Sequence, residues 1–261
     1  MLELARRIIG AYKGKGLITA FIYGKFADGK TSYLLHVGME VFKNLYGLKT
    51  VDAWLMALDH LYFQPVEAMV HIEAYRSKHP HERIVMLGMD DVGQHIPRAR
   101  WWREDVVQFR EWMTVARTDV SAVLFTAPTQ LSLPGGIVDS CFLRVHVRRH
   151  PEKRGFSVAQ GYSVSISPYF QVNVSGPKFE DMFPRHYPNF VFEEYERMRE
   201  QMVAPLRRHL IRLMGVDKSI ESLAEMGATN KTIGRIVNKD NSTIGKRLKR
   251  MRMEEMEKPH S

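Results

Sequence analysis

One stretch restricts the fold more than any other: Gly24-Lys25-Phe26-Ala27-Asp28-Gly29-Lys30-Thr31, which fits G-x-x-x-x-G-K-[ST]. It stands between an apolar run rich in β-formers, residues 17–23, and a helical pattern over residues 30–46 that Gly47 closes. Glycine at both ends lets backbone N–H groups turn inward around an anion, and the following helix adds partial positive charge at its first turn. Residues 24–31 together with Ser32 are therefore the expected cradle of a triphosphate nucleotide, ATP. Lys30 would hold the β- and γ-phosphates, and the Thr31 hydroxyl would ligate Mg²⁺. The alternative is an ordinary glycine-bearing turn from strand to helix. Asp28, a negative charge inside such a loop, is unusual.

A second feature belongs with the first. The apolar run Ile84-Val85-Met86-Leu87-Gly88-Met89 leads directly into Asp90-Asp91. An acid at the tip of a strand beside a phosphate loop can hold the Mg²⁺ shell, and an adjacent acid can polarise the attacking water. Asp90 is assigned to the metal and Asp91 to the water; two solvated aspartates at a strand end are the other reading. Further buried strands are expected at 83–89, 120–125 and 142–147, with helices at 51–63, 66–78 and 105–116 between them. That alternation predicts an α/β fold, a mainly parallel sheet covered by helices on both faces. Residues 156–166 and 169–174 read as a pair of edge strands. Residues 190–214 read as a long charged helix, bent at Pro205. The domain boundary is placed at residue 215, giving units 1–215 and 216–261.

Charge separates the two units. The 261 residues carry a formal net charge of +9. Between Ala228 and Arg252, Lys231, Arg235, Lys239, Lys246, Arg247, Lys249, Arg250 and Arg252 face only Asp240 as an acid. The last helix is expected over residues 243–251, capped by Asn241 or Ser242. Ile244, Leu248 and Met251 share its inner face, and Thr243, Lys246, Arg247, Lys249 and Arg250 point outward. About 35 residues here resemble the helix-turn-helix modules of response regulators and resolvases, whose last helix lies in the major groove of double-stranded DNA. The resemblance implies phosphate or guanine contacts by Lys246, Lys249 and Arg250, and backbone contacts by Ser242 and Thr243. A basic helical lid or an oligomerisation element is the alternative. A single cysteine, Cys141, excludes a disulfide framework. The histidines lack metal-ligand spacing, and no apolar run approaches the roughly 20 residues that cross a bilayer. A soluble, cytoplasmic chain without membrane contact is expected.

The phosphate loop and the acidic pair together resemble the P-loop ATPases that place an extra strand between the loop strand and the acidic strand. The chain looks like the DnaA/DnaC-type AAA+ ATPases, whose second motif also ends in paired aspartates, and is similar to the HerA–FtsK group of DNA-pumping ATPases. Both resemblances cover residues 17–147. In the first, Thr126 matches the position that senses the γ-phosphate; in the second, Gln130 matches a glutamine. Such ATPases assemble as homo-oligomers and complete the site with a neighbour's arginine, for which Arg117 is preferred among Arg98, Arg100, Arg103, Arg117, Arg144, Arg148 and Arg149. The loop Arg98-Ala99-Arg100-Trp101-Trp102-Arg103 suits stacking on bases, or its tryptophans belong to a core or an interface. The function implied is replication initiation, helicase loading or DNA remodelling by an ATPase. A DNA translocase or packaging motor comes next, and a nucleotide-switched transcriptional regulator or partition factor without turnover is the reading from a different class.

Overall fold

Strands whose residues are apolar on both faces must be covered on both, and this chain has two such runs at its centre. Residues Ile18–Tyr23 form β1 and residues Ala122–Ala127 form β4, with nearly every side chain buried. A computed structural model describes residues 1–94, 96, 98–166, 172–213, 216–237 and 239–256. In chain order the remaining elements are α1 (Glu3–Lys13), α2 (Lys30–Tyr46), α3 (Thr50–Asp59), β2 (Leu61–Tyr62), α4 (Pro65–Lys78), β3 (Leu87–Met89), α5 (Glu104–Val115), α6 (Gly135–Asp139) and β5 (Leu143–Arg149). They continue with β6 (Phe156–Ile166), β7 (Val172–Pro184), α7 (Asn189–Leu213), α8 (Val216–Glu225), α9 (Asn230–Val237) and α10 (Asn241–Met256).

The seven strands form one sheet in the order β2-β3-β4-β1-β5-β6-β7. The first five are parallel, and β6 and β7 continue antiparallel from β5. Strand β4 thus lies between the strand before the phosphate loop and the strand before the acidic pair. Alternation along each strand decides which helix it meets. Phe21, Leu87, Met89, Val123 and Phe125 pack with Ala68 and Ile72 of α4, Phe109 and Met113 of α5, and Ile137 of α6. Gly88 faces the opposite side, so close to α2 that a Cβ there would stand 2.6 Å from Leu34. Both faces are covered by helices, and the α/β architecture is the one the sequence pattern predicts.

Some elements differ from expectation. The helix expected over 51–63 stops at Asp59, because Leu61 and Tyr62 join the sheet beside Gly88 and Met89 as β2. Strand β3 is short; before it, Ile84 makes only a single bridge to Val120. Residues 169–171 of the expected edge strand lie outside the described residues, and β7 runs on from Val172 to Pro184. The amino-terminal helix α1 had no counterpart in the sequence reading. It is held by a residue from far along the chain: Asp181 accepts from the backbone N–H of Glu3 at 2.7 Å and of Leu4 at 3.3 Å, and from the Tyr33 hydroxyl at 2.6 Å. This is an N-terminal cap supplied by another strand.

Contacts divide the chain into Met1–Tyr195 and Glu196–Ser261. The boundary expected at residue 215 falls between α7 and α8, inside the second unit, and Gly215 itself lies outside the described residues. In that second unit Ile220 of α8, Ile233 and Val237 of α9 and Ile244 of α10 form a small core, with Leu223 and Leu248 packed against it. Among the described residues no helix is long and apolar enough to cross a membrane.

Candidate nucleotide and metal site

The phosphate loop starts where β1 ends, and its first residue has no alternative to glycine. A Cβ at Gly24 would stand 2.2 Å from the carbonyl oxygen of Val147 on β5. Ala27 and Gly29 then take left-handed backbone, φ 62° and 96°, which curls the loop before α2 begins at Lys30. The Lys30 ammonium donates to the carbonyls of Gly24 at 3.1 Å and Lys25 at 3.0 Å. It also lies 5.7 Å from the centre of the Phe26 ring, which is itself 79% exposed at the loop tip. Burial pulls the Lys30 pKa below the ordinary lysine value, while the charges of Asp91, Asp90 and Asp28 push it back up. All three carboxylates therefore act on one ammonium. Ser32, the residue after Thr31, turns away and donates to the Arg185 carbonyl at 2.7 Å.

Sheet geometry brings the acids to the loop. Gly88 pairs in register with Leu124, and two residues further on along each strand stand Asp90 and Thr126. Period-two alternation puts both on the face that α2 covers. Asp90 is fully buried. Its Oδ1 accepts from the Thr126 hydroxyl at 2.5 Å, its Oδ2 from the Tyr195 hydroxyl at 2.7 Å, and the Thr31 hydroxyl is shared between the two at 2.9 and 3.1 Å. Asp91 has a left-handed backbone, φ 46°, and its N–H donates to the Thr126 hydroxyl at 2.9 Å. One threonine thus fixes both acids. Sequence reasoning missed Tyr195: it lies 105 residues beyond Asp90, in a helix with no motif around it.

The residues suit a small hard cation. A hydroxyl that donates its proton to Asp90 keeps its lone pairs for a metal, so Thr31 can ligate while Asp90 holds it in place. All the groups are oxygen donors. Among the described residues no group of three or more His, Cys, Asp or Glu could by itself hold a metal ion.

Asp28, the odd charge inside the loop, has a partner that the sequence did not identify. The Arg149 guanidinium, at the end of β5, lies 3.5 Å from its carboxylate. The Ser157 hydroxyl of β6 donates to the Asp28 carbonyl at 2.7 Å. Beside this contact, Arg149, His150, Lys153, Arg154 and Arg185 border a cavity of about 430 Å³. Gln130 follows β4 and accepts from Arg144 at 3.2 Å. Burial raises the pKa of Tyr23, the residue before Gly24, and Gln130 beside it opposes that rise.

Arg117 is not brought to this cluster. It precedes β4, whereas the loop and the acids follow their strands, so the length of a six-residue strand intervenes. That is about 20 Å at the usual strand rise. Its Nε donates to the Lys15 carbonyl at 3.1 Å, and it borders a separate cavity of about 670 Å³ with Met113, Cys141 and Phe142. Trp101 and Trp102 are exposed, at 55% and 63%, so they are not core residues. With Arg98 and Leu131 they border an open cavity of about 630 Å³. Arg103 pairs with Asp105.

In the second unit, α10 begins at Asn241, but its cap is Asp240 rather than Asn241 or Ser242. The Asp240 carboxylate accepts from the Thr243 N–H at 2.7 Å, the Ser242 hydroxyl at 2.5 Å and the Thr243 hydroxyl at 2.6 Å. These three donors hold its pKa well below the ordinary aspartate value. The same contacts turn both hydroxyls toward the cap. Ile244 is buried, Lys246, Lys249 and Arg250 are exposed, and Arg247 is half-buried.

No protein-family model matches the chain. Over 226 residues, 85% of the chain and 89% of the relative, it is 26% identical to an uncharacterised protein, B-251, of Sulfolobus spindle-shape virus 1. Among solved structures it is similar to the genome packaging NTPase B204 of Sulfolobus turreted icosahedral virus 2 in complex with AMPPCP. That likeness has a TM-score of 0.37 at 8% identity and covers 63% of this chain and 99% of that one. It is similar also to the N-terminal domain of zonular occludens toxin from Neisseria meningitidis, with a TM-score of 0.39 at 10% identity, covering 68% and 97%. Likenesses this distant assign no residue a role. The parallel order of β1, β4 and β3, with the loop after β1 and the buried acid after β3, makes a P-loop NTPase-like α/β fold.

Proposed function

We propose that the chain is a Mg²⁺-dependent ATPase that acts on double-stranded DNA as an oligomer, and that it is a DNA-moving motor of the translocase or packaging kind. The observation that carries the ATPase reading is the Thr31 hydroxyl resting on buried Asp90 at the mouth of the loop that encloses Lys30. Residues 24–31 take the phosphates, with Lys30 on the β- and γ-phosphoryl oxygens, while the Ser32 side chain is engaged with the Arg185 carbonyl. Magnesium at Thr31 and Asp90 would neutralise charge building on the transferred phosphoryl. Asp91, whose charge acts on Lys30 in the same cleft, orients the water for in-line attack. Thr126 is a positioning residue: its one donor goes to Asp90 and it accepts from the Asp91 N–H.

That use of Thr126 favours the motor over the initiator. A hydroxyl whose donor is engaged inside the fold has none left for a γ-phosphate, which weakens the match to the AAA+ sensing position. Gln130, beside the residue that precedes the loop, remains as the polar residue of the HerA–FtsK resemblance. Replication initiation or helicase loading stays as the second reading, supported by the Asp90-Asp91 pair. The DNA end of the proposal rests on α10, where exposed Lys246, Lys249 and Arg250 lie opposite the buried Ile244. An arginine completing the site comes, in this reading, from another copy; for Arg117 its own chain's site is out of reach.

The test is turnover of Mg-ATP with and without duplex DNA. Wild-type chain is expected to hydrolyse ATP, Lys30→Ala to lose at least 100-fold in rate, on the order of what one transition-state contact supplies, and the DNA-stimulated rate to grow with duplex length. Stimulation independent of length points to a loader or initiator. Nucleotide binding without turnover points to a switch.

A further inference from the structure

Three hydroxyls hold the metal-side carboxylate, and two of them belong to motif positions. The third, Tyr195, does not. Tyr195 is 5% exposed and sits between Phe63 and Tyr187, at 6.1 and 6.3 Å between ring centres. Its hydroxyl reaches Asp90 Oδ2 at 2.7 Å.

We propose that Tyr195 is a positioning residue for the metal site: it locks the plane of the Asp90 carboxylate so that Thr31 meets the cation in one orientation. The inference rests on the Mg²⁺-ATPase reading and deepens it. A carboxylate turns about its Cβ–Cγ bond unless both oxygens are held. Here Thr126 holds Oδ1 and Tyr195 holds Oδ2, one donor on each side. Thr31, at 2.9 and 3.1 Å from the two oxygens, lies near their bisector. Without the tyrosine hydroxyl, Oδ2 keeps only the longer Thr31 contact and the buried group is free to rotate. A ligand held in one orientation binds better than one that must be ordered on binding, because the ordering cost falls on the affinity.

The experiment uses the full chain with Tyr195→Phe, a substitution that keeps the ring. Mn²⁺ serves as the probe, followed by electron paramagnetic resonance in the presence of a non-hydrolysable ATP analogue. Binding of the analogue alone is measured in chelator. The half-saturating Mn²⁺ concentration should rise on the order of 10-fold, the worth of one hydrogen bond to a charged group, while metal-free analogue affinity stays at the wild-type value. In turnover, saturating Mg²⁺ should restore the variant to the wild-type rate. A Mn²⁺ midpoint within twofold of wild type, a tighter one, or a rate lowered equally at every metal concentration overturns the proposal. Failure of the wild-type chain itself to bind Mn²⁺ with the analogue overturns the ATPase reading along with it, and is recognised by its presence without any substitution.

Discussion

At the scale of single residues, charge balance inside the phosphate loop decides what the loop can hold. Asp28 is nearly buried and would repel a triphosphate, and Arg149 stands against it from the end of β5. The arginine is more than half exposed, so as a stabiliser of the fold the pair is worth little. Its worth lies in screening the loop. Arg149→Ala should therefore weaken ATP binding about 5- to 10-fold, around 1 kcal/mol, and Asp28→Asn in the same chain should recover most of it. Titration of a fluorescent ATP analogue into the two single variants and the double variant measures the coupling; additive effects would remove Arg149 from this role. The residues that the sequence made legible here are those whose partners are local: Gly24 through Ser32 act through a turn and the helix that follows it. Arg149 and Tyr195 are joined to the site by long-range folding, and no local pattern marks them. Asp240, three residues before Thr243, was within reach; the reading stopped one residue late, at Asn241.

The scale of elements shows the same division. Strands β1, β4 and β5 were legible as apolar runs, and β6 was read with its observed limits, because each is long enough for a pattern to repeat. Strand β2 has two residues, too few for any period, so its apolar side chains were counted into the preceding helix. That misread junction contains a titrating group. His60 closes α3, donates from Nδ1–H to the Met56 carbonyl at 2.9 Å, and packs on Phe42 of α2 and His71 of α4. Burial pushes its pKa down to about 4, with the Met56 carbonyl raising it and His71 lowering it further by smaller amounts. A histidine whose folded pKa lies below its unfolded value stabilises the fold above pH 6.5 and loses that contribution as the pH falls toward 4. The loss is at most about 3 kcal/mol. Thermal melts should show the midpoint falling across that window, and His60→Gln should flatten the fall. An identical pH profile in the variant would assign the acid sensitivity to other groups.

For the whole molecule, the legible part was the architecture: strand, loop and helix at the start, an intervening strand between loop and acid, and a basic helical unit at the end. The hidden part was how far the ends of the first unit reach for each other. In the second unit the charges give a quantitative expectation. Replacing Lys246, Lys249 and Arg250 with glutamine in the full chain removes three exposed cations. If each neutralises one phosphate, the slope of log affinity for duplex DNA against log salt should fall by about 2 to 3, while nucleotide affinity is unchanged. Filter binding or anisotropy at several salt concentrations reads the slope directly; an unaltered slope would place the DNA surface elsewhere.

The contact of Asp181 with residues 3 and 4 sets an order in time. The opening turn of α1 has its cap almost at the far end of the first unit, on the last strand of the sheet. During synthesis the first helix is made early and left with its leading amides unanswered until some 180 further residues have left the ribosome. Nascent chains of the first unit can therefore close only near completion, and chains interrupted before the last strand carry a loose leading helix.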